Sequence, residues 1–194
     1  MKRILGGLAG LAFPATAFAH SGAGETSGLT HGFMHPVGGM DHVLAMVSVG
    51  FLAYVLGGHA LWLVPAAFVA MMAAGGSLGM SGFDMPFVEA GIGLSIIVIG
   101  MAAALGQKMP VAAAMALVGG FAIFHGFAHG AEMPQDASGV SYGIGFMLAT
   151  ALLHAAGIAV CFAAARVMGR QSLWAARAGG GAAALAGVVI VGAA

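Results

Sequence analysis

From residue 36 to the end of the chain, six apolar runs of about twenty residues follow one another, separated only by short breaks. A helix of that length rises far enough to cross the hydrocarbon of a bilayer. The spacing predicts helices over residues 36–57, 60–79, 86–105, 111–132, 140–165 and 173–193. The breaks are Gly57-Gly58-His59, Ser81 to Pro86, Gly106 to Pro110, Met133 to Gly139, and Arg166 to Ser172. Lipid offers no partner to an unpaired backbone group, and no alternating barrel pattern is present, so the runs are helices. The expected fold class is therefore all-α, a polytopic membrane bundle of six transmembrane helices. Only 6% of the 194 residues are charged and 61% are hydrophobic, which puts the chain outside the range of soluble domains. A net charge of zero with no basic run gives nucleic acid nothing to bind. The single cysteine, Cys161, excludes a disulfide or a multi-thiolate metal site within one chain.

Residues 1–19 read as a secretory signal peptide. Lys2 and Arg3 form its positive start, Ile4 to Phe13 its apolar core, and Ala17-Phe18-Ala19 its cleavage pattern. Cleavage would leave residues 20–35 as a short periplasmic tail, flexible from Ser21 to Thr30, ahead of a six-helix domain over 36–194. His20, beside a new free amino group, is a candidate for weak chelation. With that amino terminus outside, the second and fourth connections are also outside, and they carry Asp84, Glu132 and Asp136 without a cation. Lys108, Arg166, Arg170 and Arg177 all fall inside, as the positive-inside bias requires. The expected location is the bacterial inner (cytoplasmic) membrane, multi-pass, with both mature termini periplasmic.

The ionisable residues gather at the outer ends of the spans. At about 100° per residue, His125, His129 and Glu132 fall within roughly 60° of one another on the fourth helix. Two imidazoles and a carboxylate on one face suit a borderline divalent ion such as nickel, cobalt or zinc. Gly126 and Gly130 flank that face at a spacing that lets a neighbouring helix come close. The first span opens on His35-Pro36, with Asp41 and His42 further in. Pro36 fits a first helical turn, which puts His35 just above the helix in non-helical backbone. Asp41 and His42 are both candidate metal ligands, but they diverge as helical neighbours, which leaves open that Asp41 orients an imidazole instead of ligating directly. Glu89, one turn into the third span, and His154, in the middle of the fifth, are candidate pathway residues, because charge inside a membrane segment is costly. The bland alternatives are a helix-dipole role for Glu89 and a packing or hydrogen-bonding role for His154.

At these residues the sequence resembles the HupE/UreJ family, membrane proteins associated with hydrogenase and urease maturation. His35-Pro-Val-Gly-Gly-Met-Asp41-His42 is similar to the family's first pattern, a histidine, five residues and Asp-His. Phe124-His125-Gly126-Phe127-Ala128-His129-Gly130-Ala131-Glu132 is similar to its second. The resemblance implies secondary uptake of Ni2+, or of Co2+, as a transported ion with no permanent cofactor. It also implies that His35, Asp41, His42, His125, His129 and Glu132 matter, and it links the chain indirectly to hydrogenase or urease. No phosphate-cradling loop or nucleophile–base pair is present, so no enzyme is expected. The expected function is a permease or facilitator. The rival within the same site is an accessory protein that holds the metal without conducting it. A haem carrier fits less well, because His125 and His129 share one helix. A copper site would draw on Met34, Met40, Met85 and Met133, but with 14 methionines in an apolar chain core filling explains them better.

Overall fold

A computed structural model of the chain describes residues 28–133 and 139–193. The expected signal peptide, its cleavage site and His20 lie outside the described residues. Within them the protein is all helical. The helices are α1 (Gly28–Gly38), α2 (Met40–Leu56), α3 (Ala60–Met80), α4 (Val88–Leu105), α5 (Val111–Ala131), α6 (Gly139–Met168) and α7 (Ser172–Ala193). Helices α3 to α7 are each long and apolar enough to span a bilayer. The pair α1 and α2 passes the same test together as one broken span, bent by 82°. The ends of α3 to α7 fall close to the breaks read from sequence.

The first span departs from expectation. His35 lies within α1 rather than above a helix, and Gly28 to Thr30 belong to the same helix rather than to a flexible tail. Pro36 is buried near the end of α1, and the chain breaks just beyond it at Gly39, which is extended (φ −98°, ψ 120°). The physical reason is packing. A Cβ on Gly32 would collide with the Tyr142 carbonyl, and one on Gly145 with the Leu29 carbonyl, so α1 and α6 lie backbone against backbone. That contact outweighs the single hydrogen bond that Pro36 cannot donate.

The helix carrying the second motif is held in the same way. Gly126 and Gly130 on α5 press against Met72 and Gly76 on α3, and Gly75 of α3 presses back on Ile123. The small-residue spacing read from sequence thus has its partner in α3. Below this seam Met46, Val49, Leu52, Val64, Phe68, Ile99 and Val118 form a fully enclosed apolar core. Buried apolar surface between helices gains no hydrophobic energy relative to lipid, so close packing of this kind is what holds the bundle together.

Candidate metal centre

Three elements converge at the end of the bundle where α1 breaks. The last turn of α1 brings His35, the first turn of α2 brings Asp41 and His42, and the last two turns of α5 bring His125 and His129. Glu132 follows as the residue that ends α5. His35, Asp41, His42, His129 and Glu132 line one cavity of about 360 Å³, with Glu89 from the first turn of α4 on its wall. The 82° bend is what makes this possible, since it turns the end of α1 across the mouth of α2 and toward α5.

The outermost donors are His35, His129 and Glu132, each with one ligand atom within 4.8 Å of the other two. His35 Nε2 stands 3.7 Å from Glu132 Oε2. Two metal bonds of about 2.0–2.2 Å place neighbouring donors about 3–4 Å apart, so these three need only a small contraction to share an ion. His129 is buried, whereas the Glu132 side chain is 61% exposed and free to swing. One ligand is therefore held fixed and another reaches toward solvent, an arrangement suited to taking up a hydrated cation.

Behind this triad the imidazoles continue inward. Ring centres are 4.6 Å apart for His35 and His129, 4.4 Å for His129 and His42, and 4.9 Å for His42 and His125. The Asp41 carboxylate accepts a hydrogen bond from His42 Nδ1 at 2.9 Å, a contact that can orient the ring. His42 Nε2, His125 Nδ1 and both nitrogens of His129 are buried without a hydrogen-bond partner among the described residues. Each such group costs about 1–3 kcal/mol to leave unsatisfied, so stability alone does not account for the cluster, whereas a cation would satisfy it.

The six motif residues are thus neighbours at one end of the bundle. His154 is not among them. It is buried in α6, beyond the Phe68 ring, whose centre lies 5.6 Å from that of His125 and 5.1 Å from that of His154. None of Met34, Met40, Met85 and Met133 lines the histidine cavity, and Met34 and Met40 are exposed. Rings in edge contact at 4.4–4.9 Å leave no slot for a porphyrin. Sequence reasoning missed Ser95, which is fully buried with its hydroxyl 2.8 Å from His125 Nε2. The signal was there: Ser95 is the one hydroxyl in the apolar run of α4.

Fold and site together define a multi-pass α-helical membrane protein with a buried histidine–carboxylate cluster at one end. The profile of the HupE/UreJ protein family matches residues 8–190, and the chain belongs to that family. It is 44% identical over 184 residues to Protein HupE of Rhizobium leguminosarum bv. viciae, covering 95% of this chain and 94% of that one. No solved structure matches it.

Proposed function

We propose that this protein is a secondary permease for divalent nickel, and for cobalt by the same chemistry, supplying metal to hydrogenase or urease maturation. The observation that carries this reading is the meeting of His35, His129 and Glu132 from two separate helices, with their donor atoms within 4.8 Å of one another. Mixed nitrogen and oxygen donors without thiolate bind a borderline cation firmly enough to admit it and weakly enough to release it. In this reading residues 1–19 are removed as a signal, residues 20–35 lead into the transmembrane domain of 36–194, and both termini face the periplasm. Glu132 and Glu89 draw the hydrated ion into the cavity. His129 takes it as water is shed, His42 and His125 receive it, and His154 beyond Phe68 is the next polar group inward. The membrane potential favours this direction by ~4.6 kcal/mol per 100 mV for two charges.

The packed core supports a second reading. Phe68 packs against the His125 ring and belongs with Val118 and Met72 to one closed apolar core, as expected of a protein that holds metal at its surface and hands it to a maturation partner. Nickel uptake by proteoliposomes separates the two. A permease accumulates radioactive nickel inside the vesicles, with cobalt competing. A holding protein binds nickel in detergent and accumulates none.

A further inference from the structure

We infer that the protein carries a second, deeper cation station built from imidazole alone (His42, His125 and one nitrogen of His129), and that Ser95 makes His125 competent for it by fixing its tautomer. The inference rests on the metal-binding half of the reading above and extends it to a residue outside both motifs.

Hydrogen-bond accounting carries the argument. The Ser95 hydroxyl has one proton. It donates that proton to the Ile92 carbonyl, 2.6 Å away, and the carbonyl can only accept. At 2.8 Å from His125 Nε2 the same oxygen must therefore accept, so the imidazole proton sits on Nε2 and the lone pair on Nδ1. His125 Nδ1 is fully buried with no partner among the described residues. His42 repeats the arrangement with a different acceptor. Asp41 takes the Nδ1 proton, and the lone pair on Nε2 is left buried and unpartnered. Each ring thus has one nitrogen tied to an oxygen and the other freed as a donor, the pattern by which metal-binding histidines are oriented.

Spacing adds a second argument. Two imidazoles bound to one ion through bonds of about 2.0–2.1 Å hold their ring centres about 4–6 Å apart. His42–His125 at 4.9 Å and His42–His129 at 4.4 Å fall in that range. His129 is 4% exposed, and neither of its ring nitrogens has a hydrogen-bond partner among the described residues. One belongs to the outer triad, the only three donors among the described residues that already lie within 4.8 Å of one another. With the His129 ring centre 4.4 Å from that of His42, the other would reach the deeper pair by a small closing movement, so the two stations share His129 and take one ion in turn. The outer station includes a carboxylate that water reaches. The deeper one offers only nitrogen, and an ion entering it has exchanged its oxygen ligands for imidazole. Selection would follow, because hard cations such as Mg2+ hold to oxygen whereas nickel and cobalt accept imidazole.

The test is NiCl2 binding to the purified full-length protein in detergent. His35→Ala/Glu132→Ala removes the outer station and is expected to keep nickel binding, which adding His42→Ala/His125→Ala abolishes. Introducing Ser95→Ala into the outer-stripped protein is expected to weaken that binding by about 10–100-fold, the usual cost of losing an orienting partner. Nitrogen-15 spectra of the metal-free protein should place the His125 proton on Nε2 and lose that preference in Ser95→Ala, a readout that a purely structural serine would not move. Nickel bound by the wild type but not by the outer-stripped variant, with both folded by circular dichroism, would overturn the deeper station and leave the outer site standing. Unchanged affinity on adding Ser95→Ala, or a wild-type His125 protonated on Nδ1, would overturn the role of Ser95. A wild type that binds no nickel removes both stations and the proposed function with them.

Discussion

The two ends of the bundle treat their ionisable groups in opposite ways. At the end where α1 breaks, side chains from three helices turn inward, face one another and leave nitrogens unpartnered. At the other end the charged side chains, among the described residues, are either satisfied locally or exposed. Arg177 Nε donates to the Ala104 carbonyl near the end of α4 at 2.7 Å, its guanidinium lies 4.5 Å from the Trp174 ring centre, and Lys108 and Arg166 are exposed. Arg177 fulfils a helix's need for a donor at its last carbonyls. Nothing comparable accounts for the histidines. Polar groups in a membrane protein therefore signal function less by their presence than by converging without satisfying one another.

Substitutions at the two ends should differ accordingly. The largest effect is expected at His129, which touches both His35 and His42. His129→Ala should bring nickel uptake in proteoliposomes to the level of empty vesicles, while membrane insertion and helix content stay unchanged. Next comes Asp41→Asn, which keeps an acceptor for His42 Nδ1 but loses the charge. Nickel affinity should fall by about 10–100-fold in equilibrium dialysis. Acidification acts on the same end. Protons compete with metal for imidazole nitrogen, so nickel affinity should fall as the pH is lowered. The contrast extends to packing. Gly126→Ala pushes a methyl into the Met72 carbonyl and should destabilise the fold by about 1–3 kcal/mol, whereas Gly120→Ala, with open space around it, should be neutral in thermal unfolding. Smallest is Arg177→Ala at the opposite end, which should cost about 1 kcal/mol of stability and leave nickel affinity unchanged.

The helices were legible in the sequence because a membrane span is a length constraint, and the glycine- and proline-rich breaks mark where it ends. The grouping on α5 was legible because helical periodicity alone puts His125 and His129 on one face. What could not be read was the partner. That α1 is helical follows from Gly32 packing on the Tyr142 backbone and Gly145 on that of Leu29, contacts between distant parts of the chain that leave no local trace around Pro36. Ser95 escaped for a related reason. A lone serine in an apolar helix is common, and its meaning lies in its position opposite His125 on another helix. Local pattern thus gave the elements and half of each contact, and tertiary packing supplied the other half.

The central claim is that α1 and α5 together hold a cation. Nickel K-edge X-ray absorption on the loaded, purified protein tests it most directly. The account predicts a shell of nitrogen and oxygen with the outer scattering of at least two imidazoles, poorer in oxygen in His35→Ala and lost in His129→Ala, the residue both stations share. A nickel shell of oxygen alone, or one unchanged by both substitutions, would contradict it.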